Sequence, residues 1–449
     1  MMSSHTKTDR PKALRSTISF KDVVGHKKVK ARLRTIIKII QQPELFKRFD
    51  TPLPKGLLLY GPANVGKGML ARAFAKEADM PYYEISGSLL FDIDYIKAVY
   101  KAASKHAPSL VILEDIDIKG LLQGTLTNVS FSDIAKVLEK ADARVFTIAT
   151  SETLEAVDEV LTSPKKLDFL IEVDKLDKDA RRFFLEKILK KPHDPKIDKE
   201  RIVRYINGMS AVDLERLGRM AVLEAIEQGK KRITEEILIE QINIIKYGHK
   251  IDKQMVRNLE QELEMTAYHE AAHAVLSTIL LPHVKIEQVT IAPRSKTLGF
   301  VSYNADEPMS NITKEELFYD VCVLMAGRIS KMKKAGNAQM DSGAIDDLSQ
   351  ASFQIYTALS TLGMDSDLGL INLETISPVS ENFLREKLET RFLLWNEAAF
   401  NYSRKMVDTH WETISKLAKK LIENEIVEGD TLLKLVGKKR TKPKIPKVL

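Results

Sequence analysis

The sequence predicts an α/β module built on a parallel sheet, then an all-α segment, then a mostly helical domain. Short apolar runs alternate with helical patterns from Phe20 to about Leu170, the strand signal disappears from about Asp177 to Lys250, and helical spacing then dominates with two β-like interruptions. The expected strands of the first part are Gly56–Tyr60, Tyr82–Ile85, Leu110–Leu113, Arg144–Ile148 and Leu170–Val173, each followed by a polar or glycine-containing turn. Ala180–Leu189, Ile202–Ile206, Ala211–Glu227 and Thr234–Ile245 carry apolar residues at helical spacing. A charged helix around Gln254–Glu264 leads into the third part, whose strand-like runs are Gln288–Ala292 and Gly299–Tyr303. The expected boundaries are a basic arm at 1–19, the α/β module at 20–175, the helical segment at 176–250, the last domain at 251–437 and a basic tail at 438–449.

Composition narrows the function classes. In 449 residues, 44% hydrophobic and 29% charged, there is apolar material for more than one core, and modest Gly (20) and Pro (16) exclude collagen-like and low-complexity chains. One cysteine, Cys322, excludes an intrachain disulfide and a thiolate zinc cluster. The net charge of +7 is concentrated at the ends, in Lys7, Arg10, Lys12 and Arg15 and in Lys438, Lys439, Arg440, Lys442, Lys444 and Lys447. The body is near neutral, so no specific nucleic-acid partner is expected, and the tails read as solvated ends or as peripheral contacts to an anionic membrane or acidic partner. No stretch approaches the ~20 uninterrupted apolar residues of a bilayer-spanning helix, and no signal peptide is visible, so the expected location is cytoplasmic.

The first strand runs into Gly61, Pro62, Ala63, Asn64, Val65, Gly66, Lys67 and Gly68, and the helix-favouring run from Met69 to Ala75 follows. Strand, glycine-rich turn and helix start together make a phosphate loop: backbone N–H groups face the phosphates and Lys67 reaches the β/γ positions. The last position ordinarily carries Ser or Thr to ligate Mg²⁺, and here it is Gly68. The reading is therefore nucleotide binding, with Mg²⁺ ligation and hydrolysis left open. Leu110–Leu113 ends in Glu114-Asp115-Ile116-Asp117, which delivers carboxylates beside the expected phosphates in the manner of a Walker B site, with Glu before Asp instead of the usual reverse.

A second motif lies in Tyr268-His269-Glu270-Ala-Ala-His273. On a helix His269 and His273 share one face, two neutral imidazoles bind Zn²⁺, and Glu270 is placed to take a proton from metal-bound water. A third protein ligand is needed. Asp341-Ser-Gly-Ala-Ile-Asp346-Asp347 supplies carboxylates at an expected helix start, and spacing does not choose between Asp346 and Asp347 or separate either from a helix-start role.

With both motifs in this order, separated by an all-α segment, the chain resembles the FtsH family of ATP-dependent zinc metalloproteases. The resemblance runs from Phe20-Lys-Asp-Val-Val-Gly25 to about residue 435 and includes Val289–Arg294, Ala326-Gly-Arg328, Ser342–Leu348 and Leu362–Gly369. It implies a AAA+ P-loop module with a helical lid, joined to a mostly helical zinc metallopeptidase domain. It also implies Zn²⁺ and ATP as cofactors, protein substrates and a hexameric ring. It puts the third zinc ligand on Asp347, beside His269 and His273, with Glu270 as general base. The departures fall in the ATPase half: Gly68, Ser151 in place of the Asn that senses the γ-phosphate, and Lys165 and Lys166 where the family carries arginine fingers.

The expected function is a zinc endopeptidase acting on unfolded or exposed protein segments, its AAA+ module binding ATP and hydrolysing it poorly. The alternative is a non-catalytic ring subunit or adaptor that co-assembles with an active, membrane-anchored relative. A complete zinc motif with Glu270 weighs against that alternative, because a purely structural subunit has no need of it.

Overall fold

Leu57, Leu58 and Leu59 are fully buried and point alternately to opposite faces of a sheet, which is the signature of a strand covered on both sides. They belong to β1 (Gly56–Tyr60), the first strand in a computed structural model that describes residues 11–44, 48–50, 52–117, 130–251, 258–295, 297–304, 311–337, 341–375, 378–437 and 444–446. Lys7, Arg10 and most of the basic tail lie outside them, as does the start of the helix expected at Gln254. The chain divides into two compact units, 1–199 with 208–235, and 200–207 with 236–449.

In the first unit α1 (Lys27–Gln41) precedes β1, and α2 (Lys67–Glu77), β2 (Tyr82–Ile85), α3 (Ile93–Lys105), β3 (Ser109–Leu113), α4 (Phe131–Lys140), β4 (Val145–Ser151), the short α5 (Glu159–Thr162), β5 (Phe169–Glu172) and α6 (Lys178–Ile188) follow. The sheet is wholly parallel, in the order β2-β3-β4-β1-β5. On one face Leu57, Leu59, Leu110, Ile112 and Phe146 pack on Leu70 and Phe74 of α2 and Leu33 and Ile36 of α1; on the other Leu58, Val111, Leu113 and Val145 pack on Val99 and Leu138. The five expected strands are all present. β4 runs three residues beyond the expected Ile148, because Ala149, Thr150 and Ser151 stay buried and paired with β1 up to Tyr60↔Ser151. The carboxyl ends of β1, β3 and β4 therefore open at one edge, where ligands of open α/β sheets bind.

The remaining helices are α7 (Lys199–Tyr205), α8 (Ala211–Glu227), α9 (Glu235–Tyr247), α10 (Leu259–Leu280), α11 (Lys314–Ala335), α12 (Ile345–Ser360), α13 (Pro378–Thr409), α14 (Trp411–Asn424) and α15 (Gly429–Val436). α8 starts with a reciprocal cap between Ser210 and Asp213, and α11 with one between Thr313 and Glu316. In the second unit every residue of α10 from Met265 to Leu280 is buried, which makes it the central helix of its core. Around it pack α11, α14, α15 and a three-stranded antiparallel sheet in the order β7-β6-β8, with β6 at Lys285–Thr290, β7 at Phe300–Asn304 and β8 at Ile426–Glu428. The two expected β-like runs are these first two strands, shifted by one to three residues; β8, three residues long, was not anticipated. No helix among the described residues is long and apolar enough to cross a membrane.

Candidate functional site

One turn apart on α10, His269 and His273 face each other edge to face, with ring centroids 4.5 Å apart. Their Nε2 atoms are 3.0 Å apart, and Oδ2 of Asp347, in the first turn of α12, lies 3.1 Å from the first and 3.2 Å from the second. A tetrahedral zinc with bonds of ~2.0–2.1 Å holds its ligand atoms ~3.3 Å apart, so this triangle of two nitrogens and a carboxylate oxygen fits one face of such a site. His273 Nδ1–H donates to the Val323 carbonyl at 2.8 Å, which leaves its Nε2 lone pair for a metal. His269 Nδ1 is buried with no partner among the described residues.

The cradle is made by a residue that the resemblance takes in, within Ala326-Gly-Arg328, without giving it a role. Gly327 of α11 lies so close that a Cβ there would come within 2.4 Å of both His269 Cε1 and His273 Nε2. The acidic segment sorts into separate jobs. Asp341 accepts the Gly343 N–H and an ion pair from Lys331 at 2.8 Å, Asp346 stays exposed, and Asp347 alone turns onto the histidines.

Burial pushes the Glu270 carboxyl up to about 7 and His269 down to about 4. Burial also opposes the charges of His273 and Asp347, but their mutual contacts prevail: His273 is raised and Asp347 is held well below the carboxylate range. The three side chains and Glu270 line a cleft of about 390 Å³. Its wall is apolar along Leu281, Val284, Phe300, Val301, Val323 and Leu324, and Tyr303, Asp320 and Gln350 supply polar groups.

The phosphate loop occupies the carboxyl end of β1. Gly66 caps α2 at φ 101°, a conformation in which a side chain is strained, and Pro62, Ala63 and Asn64 are exposed while Val65 is buried. Lys67 is folded back on its own loop, with Nζ donating to the carbonyls of Gly61 at 2.7 Å and Pro62 at 2.9 Å, and burial lowers its pKa. Met69 is partly exposed on the first turn. His26, whose pKa burial lowers, sits with Nε2 2.9 Å from the Val65 carbonyl and braces the loop from the start of α1; local spacing gives no hint of this contact.

The neighbouring polar positions are engaged elsewhere. Glu114 Oε1 accepts from Arg72 Nη2 at 2.9 Å, and the Asp115 N–H donates to the Thr150 hydroxyl at 2.9 Å. Ser151 Oγ donates to the Thr153 carbonyl at 2.6 Å. Lys165 and Lys166 are not brought to the loop: they lie at the amino end of β1, where a Cβ on Gly56 would come within 2.7 Å of the Lys166 carbonyl. The Lys165 N–H donates to the Asp168 carboxylate, which also accepts from the Lys55 N–H, and Lys166 Nζ donates to Ser163 Oγ at 2.8 Å.

Residues 255–435 match Peptidase family M41, and residues 57–175 match the ATPase family associated with various cellular activities (AAA). The chain is similar to ATP-dependent zinc metalloprotease FtsH 2 of Methylacidiphilum infernorum, 28% identical over 94% of this chain and 70% of that protein. It is similar to FtsH 2 of Symbiobacterium thermophilum at 27% identity, over 94% of this chain and 75% of that protein. The ATP-dependent zinc metalloprotease YME1L1 of Mus musculus is 28% identical over 94% of this chain and 61% of its own length.

Proposed function

The chain belongs to the FtsH family of AAA+ zinc metalloproteases, and on that premise we propose that His269, His273 and Asp347 hold the zinc of an endopeptidase whose general base is Glu270. The observation that carries this reading is the convergence of three donor atoms within 3.0–3.2 Å of one another, beside a buried carboxyl one residue from the first. Zinc bound there would polarise a peptide carbonyl and acidify a bound water.

Glu270 then takes a proton from the attacking water as the new C–O bond forms, and passes it to the departing nitrogen as the C–N bond breaks, so the carboxylate is regenerated. A pKa near 7 suits both halves of that exchange. Val323, through its carbonyl, fixes the His273 tautomer, and the apolar wall of the cleft receives side chains of an extended segment. Substrates are unfolded or exposed stretches of protein. The AAA+ module binds adenine nucleotide at 61–69, with Glu114 and Asp115 at the Walker B position and Ser151, Lys165 and Lys166 at the sensor and finger positions. The chain assembles into a ring of six.

The test is cleavage of an unstructured, fluorescently quenched protein by the zinc-loaded chain, with and without ATP, beside Glu270→Gln. Cleavage that Glu270→Gln abolishes while zinc stays bound is the expected result. Absence of cleavage with zinc bound would sink the enzyme reading in favour of a structural ring subunit, and light scattering at other than six times the monomer mass would refute the hexamer.

A further inference from the structure

Resting on the reading of 61–69 as a nucleotide site, we propose that the ion-paired cluster of Arg72, Glu84 and Glu114 stands in the place of the divalent cation, so that nucleotide binds here without Mg²⁺. A P-loop site recruits Mg²⁺ with a hydroxyl directly after the lysine and a carboxylate at the end of a neighbouring strand, and Mg²⁺ demands near-octahedral oxygens at ~2.0–2.1 Å. The residues present do not fit that ion. Gly68 brings no hydroxyl, and the space a side chain there would fill is taken: a Cβ at residue 68 would lie 2.4 Å from Glu114 Oε1 and 3.5 Å from Arg72 Nη1.

The carboxylate that intrudes is itself committed. Arg72, on α2 one turn past Gly68, donates from Nη2 to Glu114 at 2.9 Å, and from Nε and Nη2 to the two oxygens of Glu84 at 3.1 and 2.8 Å. A planar guanidinium matched to a carboxylate through two parallel bonds is a rigid, permanently charged unit, and all three side chains are less than a third exposed. Glu84 belongs to the middle of β2, in register with Ile112 of β3, and Glu114 is the first residue beyond β3. The cluster is thus pinned by two adjacent strands and a helix.

Two sequence features that look like separate defects, Gly68 and the Glu114-Asp115 order, and one ordinary strand residue, Glu84, are parts of one arrangement. The missing side chain at 68 makes room, the extra methylene of Glu114 fills that room, and Glu84 completes the cradle of Arg72. The guanidinium supplies one fixed charge where Mg²⁺ would supply two, and both carboxylates draw on it. The phosphates are therefore held by Lys67 and by the backbone N–H groups at the start of α2, neither of which needs a metal. With no cation to bridge the β- and γ-phosphates, a third phosphate adds no metal-dependent affinity, so any preference for ATP over ADP is the same with and without Mg²⁺.

The experiment titrates the full-length chain with fluorescent ADP and ATP analogues in EDTA and again in millimolar Mg²⁺, alongside Gly68→Thr, Glu114→Asp and the double variant. The natural chain is expected to hold either nucleotide with affinities that agree within about threefold in the two buffers. Gly68→Thr alone, driving its Cβ into Glu114, should lose about tenfold or more, and Gly68→Thr with Glu114→Asp should recover binding and become Mg²⁺-dependent. If Gly68→Thr fails to fold by circular dichroism, the double variant, in which the shorter carboxylate frees the space, still decides the question. Affinity about tenfold weaker in EDTA for the natural chain, or a double variant indifferent to Mg²⁺, overturns the proposal. No binding in either buffer overturns it together with the nucleotide reading, while peptide cleavage, measured separately, leaves the zinc site standing.

Discussion

Two glycines, one in each unit, sit where an added Cβ would strike a polar side chain at 2.4 Å, and they do opposite things. Gly327 makes room for His269 and His273 to point their nitrogens at a common centre. Gly68 makes room for Glu114, whose carboxylate is then spent on Arg72. Around Gly327 the motif residues converge, and the third donor arrives from another helix at matching distances. Around Gly68 the polar side chains have turned to protein partners: Lys67 to its own loop, Glu114 to Arg72, and Ser151, at the carboxyl end of β4, to Thr153. Motif identity alone does not separate a site built for an ion from one whose ionic contacts are internal; the partner of each donor atom does.

The sharpest break of this comparison is Glu270→Gln, which keeps the triangle of donors and removes only the proton carrier. Cleavage should fall by about 10²–10⁴-fold with zinc content unchanged, as read by quenched-substrate kinetics and metal analysis. Next in size is Asp365→Ala. Asp365 Oδ2 accepts from Arg391 Nε at 2.9 Å, Arg391 Nη2 at 2.7 Å and Trp395 Nε1 at 2.7 Å, all within the core that carries α13. The guanidinium would keep its Nη1 pair with Asp367 at 2.7 Å, so the loss should cost about 3 kcal/mol in denaturant unfolding, the lower end for breaking a buried pair, and cleavage should fall only as far as the folded fraction does.

A third test uses pH on the metal-free chain. Glu270, at about 7 instead of 4.5, keeps its proton in the folded state after the unfolded chain has lost it. Its contribution is therefore fully present below about 4.5, is lost as pH rises toward 7, and is constant above. Glu270→Gln should be more stable than the natural chain at pH 8 by on the order of 3 kcal/mol, and indistinguishable from it at pH 4, by thermal or urea unfolding. A constant difference across that range would show that the carboxyl is solvated and not in the position described.

The architecture was readable because it rests on local periodicity. Leu57–Leu59 and Leu110–Leu113 could only be strands buried on both faces, and the two histidines of α10 share a face by spacing alone. What escaped depends on residues brought together from distant stretches. β8 is too short for alternation to register, and it exists because β6 offers an edge at Gln288–Thr290. Gly327 reaches the histidines from 54 positions beyond His273. Glu84 reads as an ordinary strand residue until Arg72 is seen to reach across from α2. Even Asp347 needed a family resemblance, since spacing offered Asp346 equally; packing separates them, because only the second acidic position of the turn faces α10.

The smallest expected effect bears most directly on the two glycines. Gly327→Ala adds one methyl group to a helix, a change that intrinsic propensity favours by nearly 1 kcal/mol. The Cβ nevertheless meets two imidazoles with little room to retreat, since His273 is tied to Val323 and both rings are buried, so they can yield only by parting from each other. Overpacking of this kind costs about 1–3 kcal/mol, so the net destabilisation of the metal-free chain should be small, near 1 kcal/mol. The imidazoles should swing apart, and zinc affinity should drop by about 10–100-fold, the range seen when supports of metal ligands are disturbed. A small stability change with a large loss of zinc, measured by competition with a chelator, is the signature of a cradle. Equal and modest losses in both would make Gly327 a packing residue, and the contrast with Gly68 would then rest on the phosphate-loop side alone.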